Sequence, residues 1–385
     1  MKLALQSVKF SLVFLSLGLG SVSFAGVPFF KAYPPLKDTI PYTPLGDFPT
    51  PLESCKELSE HLGCMLLCKR DDQSGALQKD ATRLYGGNKV RKLEFVLAEA
   101  QRKGADAVLT FGSAGSNHAL ATAVYAQQLG MSTRCLLAPQ PNSWVVQRNL
   151  LLQLVYKAEL QAFATRKERN ELTEQYKNEL CLKTGSEPYV IPTGASVPLG
   201  AVGFINAVYE LQEQLTAQNI PFPDSIYVPA GSFGTVAGLL IGLQLLKAST
   251  KVVAVAIEPE DILPPLHTLF DQTREFLISH DSAFADLSWD AQQLEINDAC
   301  CGTGYGSPTI EAQSALQLFG DLAGITLDDT YTAKAAAALV HDAQIGKLQN
   351  KTVLFWLTFY GESCKELCDQ VSYKDLPPAF QVYFH

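Results

Sequence analysis

Positive charge is in short supply in this 385-residue chain: Lys+Arg number 30 against 39 Asp+Glu, a net charge of −9. A surface so poor in cations has no basic footprint for a polyanion, so no nucleic-acid partner is expected. Histidine is scarce as well, with 6 in all and none clustered at zinc-ligand spacing, and no C-x-x-C pair occurs. The ligand spacing of a structural metal site is therefore missing. Beyond residue 25 no stretch approaches 18 uninterrupted apolar residues, which removes a membrane span. No fixed-period repeat and no low-complexity tract is present. The Gly-rich segments lack both the Gly-Lys-Ser/Thr ending of a P-loop and a complete G-x-G-x-x-G, which argues against a nucleotide-phosphate loop and a nicotinamide dehydrogenase. What is abundant is apolar side chain, 47% with only 18% charged residues. That balance excludes disorder, collagen and coiled coil and supplies a core for one large domain or two moderate ones.

The first 25 residues form a pattern of their own. Lys2 and Lys9 precede the uncharged run 10–20, and Ser23-Phe24-Ala25 offers small residues at −3 and −1 of a cleavage site. This is the layout of a secretory signal peptide. Export is expected, to the periplasm, unless the segment is an uncleaved anchor or follows a misplaced start. Its removal takes two lysines and no acid and leaves −11. The nine cysteines all lie beyond it, an odd number that leaves at least one thiol unpaired in a monomer. Cys364 and Cys368, four apart, read as core-packing residues of a helix. Residues 27–51 carry seven prolines and favour extended or turn structure over helix.

From Cys64 onward short apolar runs alternate with amphipathic stretches. Strands are predicted at 64–68, 107–111, 133–137, 188–191, 225–229, 252–257 and 352–357. Helices are predicted at 90–103, 117–129, 145–155, 167–181, 200–217, 234–247, 310–323 and 333–347. The alternation reads as βαβ units, hence an α/β fold with two doubly wound layers and mainly parallel sheets. Residues 262–300 are the least regular and are expected to form loops or a lid.

Three segments at strand-to-helix junctions stand out. In Tyr85-Gly86-Gly87-Asn88-Lys89-Val90-Arg91-Lys92-Leu93-Glu94 a Gly pair permits close backbone approach just before a helix. Lys89, crowded by Arg91 and Lys92, could titrate low and act as a Schiff-base nucleophile, although taken alone it reads as an exposed helix-start lysine. In Phe111-Gly112-Ser113-Ala114-Gly115-Ser116-Asn117-His118 small residues open a helix N-terminus suited to a carboxylate, and Ser116 with Asn117 serves equally as an N-cap and its neighbour. Pro229-Ala230-Gly231-Ser232-Phe233-Gly234-Thr235 offers backbone N–H groups and two hydroxyls to a phosphate.

Together, and in this order, the segments resemble pyridoxal-phosphate enzymes of the tryptophan-synthase-β type (fold type II). Within them the chain is most similar to the D-cysteine desulfhydrase / 1-aminocyclopropane-1-carboxylate deaminase family. That family's G-G-N-K-x-R-K-L-E is Gly86 to Glu94, and its S-N-H/Q is Ser116 to His118. Its Ile-Pro turn is Ile191 to Gly200, and its phosphate loop is 230–235. The late tyrosine blocks are Tyr305-Gly306 and Tyr331-Thr332, with a Trp-x-Thr block at Trp356 to Thr358. The likeness spans roughly residues 40–365.

The resemblance implies pyridoxal 5'-phosphate in a cleft between two domains. The large one would comprise 26–91 and 198–385, and the small inserted one 92–197. Lys89 would hold the cofactor covalently and serve as base at Cα, with Asn88 beside it. Asn117 would bond the pyridine 3′-oxygen, and Ser116, with Asn117 and His118, would take the substrate carboxylate. Gly231, Ser232, Phe233, Gly234 and Thr235 would cradle the phosphate, and Tyr305 and Tyr331 would be the acid/base phenols. In the deaminase type a glutamate after the late tyrosine faces the ring nitrogen, where this chain has Thr332. Thr358 likewise presents a hydroxyl, as in the desulfhydrase type. A neutral hydroxyl supports a protonated ring nitrogen less than a carboxylate does. The expected reaction is therefore elimination from a small, D-cysteine-like amino acid to pyruvate, ammonia and sulfide. Cyclopropane opening by a deaminase and a non-catalytic repurposed scaffold are the alternatives. The resemblance also implies a homodimer. The chain departs from the family at Ala114-Gly115, where Ile-Gln is usual, and at Phe359-Tyr360, where Gly-Gly is usual.

Overall fold

The computed structural model describes residues 27–78 and 82–385, so the leader read at 1–25 lies outside the described residues. Two sheets organise the chain. The larger has six strands in the order β1-β2-β10-β7-β8-β9. These are β1 (Leu52–Ser54), β2 (Met65–Arg70), β7 (Ser225–Ala230), β8 (Lys251–Ala256), β9 (Leu294–Asn297) and β10 (Thr352–Leu357). All neighbours run parallel except the edge strand β1. The smaller sheet is fully parallel, in the order β5-β4-β3-β6, from β3 (Ala107–Ser113), β4 (Ser132–Ala138), β5 (Glu159–Ala162) and β6 (Tyr189–Ile191). The α/β fold with mainly parallel sheets is thus present as expected.

Both faces of the large sheet are covered, which is why its strands read as continuous apolar runs. Ile226, Val228, Val252, Ala254, Leu354 and Trp356 point to one side. There they pack with the helices Pro198–Ala217, Gly234–Leu245 and Leu263–His280. Tyr227, Val253, Val255, Val353, Phe355 and Leu357 point to the other, against Ile310–Ala323 and Thr332–Gln344. The chain enters the small sheet after the helix Lys89–Arg102 and leaves it before Pro198. Leu376, Phe380 and Tyr383, near the C-terminus, return to pack on Val146 and Leu150 beside the small sheet. Among the described residues no helix is long and apolar enough to cross a membrane, and no cluster suited to a metal ion is found. The cysteines are free thiols, and Cys364 and Cys368 pack at the edge of the cluster around Leu93 and Leu97.

The structure corrects the sequence reading in two places. Residues 262–300 are not mainly loop: Leu263–His280 is an 18-residue helix, and β9 follows it. Pro264 and Pro265 sit in its first turn, where the missing N–H groups have no intrahelical partner anyway, so they start the helix rather than break it. Leu266, Leu269, Phe270, Thr273 and Leu277 then bury one stripe. The proline-rich stretch likewise holds the short helices Pro28–Ala32 and Leu36–Thr39, whose Phe29, Phe30 and Leu36 join the main core.

Beneath the junction of β2 and the helix Lys89–Arg102 lies a buried ionic cluster. The Arg91 guanidinium donates to Asp71 Oδ1 at 2.7 Å and to Glu210 Oε2 at 2.8 Å. Lys69 Nζ reaches Glu210 Oε1 at 2.5 Å, and Trp356 Nε1 donates to Asp71 Oδ2 at 2.7 Å. Burial alone would raise the Glu210 carboxyl, but the charges of Arg91 and then Lys69 hold it down to about 2. Removing one partner leaves buried charge uncompensated, so Glu210→Gln should cost about 3–5 kcal/mol of unfolding free energy, read from a urea midpoint. A depressed carboxyl contributes stability that is complete above its unfolded value, about 4.3. The wild-type chain should therefore lose this contribution progressively from about pH 5 down to about pH 2, and Glu210→Gln should show a flatter acid limb.

Candidate functional site

Parallel strands leave a crevice beyond their carboxyl ends, and ligands of open α/β sheets bind there. Here the C-terminal ends of strands from both sheets converge on one cavity of about 340 Å³. Phe111 to Ser113 come from β3, Phe163 follows β5, and Thr193 with Gly194 follow β6. Gly231 to Phe233 follow β7, Ile257 with Glu258 follow β8, and Thr358 with Phe359 follow β10. The helix Lys89–Arg102 opens onto the same space with Asn88 and Lys89.

Lys89 owes its place to the glycines before it. Gly87 has φ +95°, and a Cβ there would stand 2.9 Å from the Thr358 carbonyl oxygen. The Asn88 N–H then donates to that same oxygen at 3.0 Å, which docks the helix start on the end of β10. Lys89 Nζ donates to Asn88 Oδ1 at 2.8 Å. Burial pushes the ammonium down to about 8, only partly opposed by the Asp328 carboxylate. Near neutral pH a usable fraction of this amine is unprotonated and nucleophilic.

Of the two Ser116 readings the structure shows the N-cap. Its Oγ caps the helix Asn117–Gln128 by accepting from the Ala119 N–H at 3.1 Å, which leaves its own proton free for the cavity it lines. Asn117 Oδ1 accepts from Tyr85 Oη at 2.8 Å and Asn149 Nδ2 at 2.9 Å, so its amide N–H groups are the donors left for a ligand. His118 is a different case. Thr110 Oγ1 gives its proton to the Ile191 carbonyl at 3.0 Å and so accepts from His118 Nε2 at 2.9 Å. Nδ1 is then a bare, buried lone pair without a partner in the protein. Burial, with the charges of Lys89 and Lys92, holds the ring well below the usual histidine range. A neutral ring with an empty Nδ1 accepts a proton on that side, which leaves the Ser116 hydroxyl and the helix N–H groups as the donors available to an anion.

The third segment is an anion cradle. Phe233 has φ +65°, costly for an aromatic residue, and its side chain offers no cap to the helix Gly234–Leu245. The Gly234 N–H donates to Ser196 Oγ at 3.2 Å, so the N–H groups that follow it in the first turn are the ones left to a ligand. Gly231, Ser232, Phe233 and Thr235 line the cavity, whereas Gly234 is behind it: a Cβ there would stand 2.8 Å from Ser196 Oγ and 2.9 Å from Lys92 Nζ. Gly194, at φ +69°, completes the wall, where a Cβ would fall 2.0 Å from Ser232 Oγ. Lys92, buried below, donates to the Gly194 carbonyl at 3.1 Å and braces this turn.

On the opposite side Tyr305 Oη lies 2.5 Å from Tyr331 Oη and 3.0 Å from Ser113 Oγ. Burial raises both phenols, Tyr331 further because of its neighbour Tyr305. Thr358 lines the cavity, but Thr332 does not. The Thr332 hydroxyl is spent on Asp328, donating to Oδ1 at 2.7 Å and accepting the Asp328 N–H at 2.8 Å. Of the two bulky replacements, Phe359 is on the wall and Tyr360 packs behind it on Tyr85, ring centroids 4.9 Å apart. Asp328 and Arg169 are wall residues that the sequence did not single out. Asp328 had a local signal, an acid four residues before Thr332 at a helix start. Arg169 had none, because it reaches the cavity from a distant helix.

A buried lysine titrating near 8, an uncapped helix terminus with glycines packed around it, and an asparagine with spare donors suit an aldehyde, a phosphate and a ring oxygen in turn. Comparison with known proteins agrees. A family profile described as pyridoxal-phosphate dependent enzyme matches residues 44–358. The chain belongs to this family. It is 33% identical over 297 residues to D-cysteine desulfhydrase of Serratia proteamaculans (strain 568), covering 76% of this chain and 84% of that one. It is 32% identical over 297 residues to D-cysteine desulfhydrase of Klebsiella pneumoniae (strain 342), covering 76% and 85%. A crystal structure of an ACC deaminase homologue superposes with a TM-score of 0.71 at 30% identity, covering 87% of this chain and 98% of that one. Pyridoxal phosphate is accordingly the protein's cofactor.

The low-titrating Lys89 yields a direct check. Reductive methylation of the cofactor-free protein by formaldehyde, followed by peptide mass spectrometry, should quicken at Lys89 up to about pH 8 and level off above it. Exposed lysines should keep quickening towards about pH 10.

Proposed function

We propose that the protein is a β-eliminating lyase acting on D-cysteine or a closely related β-substituted alanine. The observation that carries this reading is the sharing of one cavity by the Lys89 amine, the Ser116 helix terminus and the Tyr305–Tyr331 pair. Three tasks of an elimination fall to those three groups. The names of the relatives above give the substrate class.

Bound pyridoxal phosphate supplies an electron sink for the pair left at Cα when a proton is removed. The Ser116 hydroxyl and the N–H groups at the start of the helix Asn117–Gln128 orient the substrate carboxylate. The Lys89 amine, unprotonated in useful amount because of its burial, takes the Cα proton. Tyr331 stays protonated at neutral pH and, hydrogen-bonded to Tyr305, gives its proton to the sulfur leaving Cβ. The enamine released hydrolyses, so one amino acid and one water give pyruvate, ammonia and hydrogen sulfide. Phe111, Phe163 and Phe359 line the cavity and exclude water from the reacting carbon. Export guided by residues 1–25 and assembly as a homodimer belong to the same proposal. They are supported by the leader-like sequence and by the resemblance to the family.

The test is an absorbance spectrum of the chain purified with pyridoxal phosphate, beside Lys89→Ala, followed by keto-acid release from D-cysteine and from 1-aminocyclopropane-1-carboxylate. A visible band lost in Lys89→Ala and pyruvate from D-cysteine are expected, and no pyruvate from a chain showing the band would refute the substrate assignment. Tyr331→Phe should keep the band and lose about 10²- to 10⁴-fold in kcat.

A further inference from the structure

Tyr305 stands on a segment with little to hold it. Between Asn297, the end of β9, and Ile310 the chain forms turns and no regular element. Gly302 and Gly306, both at φ +72°, flank the tyrosine. Backbone bonds within the segment are few: the Cys301 N–H donates to the Asp298 carbonyl at 3.2 Å and the Ser307 N–H to the Gly304 carbonyl at 3.2 Å. Yet the Tyr305 phenol is placed finely enough to bond Tyr331 and Ser113 together.

The tie is Lys334, two residues past the start of the helix Thr332–Gln344 and wholly buried. Its Nζ donates to the carbonyl oxygens of Ile257 at 2.6 Å, Cys301 at 2.6 Å and Gly304 at 3.3 Å. Three acceptors meet the three donors of an ammonium, so the charged form is the one that fits. No carboxylate comes within salt-bridge range of it among the described residues, so peptide carbonyls are its close partners and Glu258 and Asp328 act on it only from farther off. Burying a charge without a counter-ion is expensive. Carbonyl oxygens that converge without an N–H among them are, chemically, a site for a bare monovalent cation. One of the three carbonyls belongs to Ile257, on the cavity wall after β8, and another belongs to the residue immediately before Tyr305.

We propose that Lys334 is a positioning residue: its ammonium serves as a tethered monovalent cation that gathers the carbonyls of Ile257, Cys301 and Gly304 and so sets the Tyr305 phenol against Tyr331. The catalytic consequence rests on the elimination reading above, whereas the tether itself does not. A lysine that only fills space would be replaceable by any side chain of similar volume, and no dissolved cation would substitute for it.

The experiment uses the full chain loaded with pyridoxal phosphate and Lys334→Ala, which removes the ammonium and leaves its three carbonyls. Hydrogen exchange at 298–309 should become faster in the variant. Its kcat for D-cysteine should fall about 100-fold, as for a misplaced catalytic group, with KM little changed. Ammonium or potassium chloride should restore the exchange protection and recover at least about tenfold in kcat, while choline chloride, too large for the space, should do neither. Unchanged exchange and kcat, or a loss that neither ammonium nor potassium repairs, overturns the proposal. Should Lys334→Ala fail to fold by circular dichroism, Lys334→Met keeps the stem and removes the donors. Faster exchange at 298–309 with lowered kcat then supports the tether, and wild-type values in both overturn it. If the unaltered chain does not turn over D-cysteine, the substrate reading fails, and the exchange measurement, with its ammonium and choline arms, still judges the tether.

Discussion

The buried Arg91 cluster is the joint on which the site depends. One guanidinium binds Asp71 at the end of β2 and Glu210 on the helix Pro198–Ala217, while Asp71 in turn holds the Trp356 indole of β10. Two strands of the large sheet and two helices are thereby fixed to one point. That point lies two residues from Lys89, so the register of the helix Lys89–Arg102 leaves no freedom in where the lysine emerges. Such a cluster is weak evidence of net stability, because desolvation offsets most of its Coulomb gain. Its value here is geometric, since ionic fork contacts specify an orientation that apolar packing alone would leave loose.

The electrostatics of the cavity follow from which charges the fold leaves without close counter-ions. Lys89 and Lys92 approach the site from one helix, and the partners of Lys92 are the Gly194 carbonyl, the Ser196 hydroxyl and the Phe204 ring. Burial lowers both ammonium groups, and each lowers the neighbouring His118 further. The result is an amine that deprotonates readily, a neutral imidazole and protonated phenols lining one cavity. Asp328 supplies the opposing charge but is held back by the Thr332 and Tyr331 N–H groups and the Thr332 hydroxyl. An anionic cofactor and a substrate carboxylate suit this imbalance of charge.

The sequence concealed one long helix and three short strands. A Pro-Pro pair looks like a helix breaker until its position is known, and in Leu263–His280 it occupies the turn where proline costs nothing. The strands β1, β5 and β9 have three or four residues each, and their short apolar signal is lost among turn residues. Of these, β5 leads into the cavity wall at Phe163, whereas the cavity's local motifs are strand-end turns with glycines at fixed places. His118 and Thr332 are instructive in the other direction. Both stand in motifs that resemble the family's, yet the hydrogen-bond inventory of their neighbours removes the one's carboxylate role and spends the other's hydroxyl.

Local chemistry was legible in the sequence alone. The βαβ alternation followed from period and length, and Gly86-Gly87-Asn88-Lys89 and the two helix starts stood out locally as candidates, taking their expected roles from the resemblance to the family. These depend on a few contiguous residues and on backbone rules that act within one turn. Convergence was decided by tertiary structure. It placed the ends of strands from both sheets on one cavity, brought Tyr305 to Tyr331 across 26 positions, and ran a lysine at 334 beneath a loop some thirty residues earlier. It also set the ionisation of Lys89, since burial depends on everything that packs around a side chain and not on its neighbours in the chain.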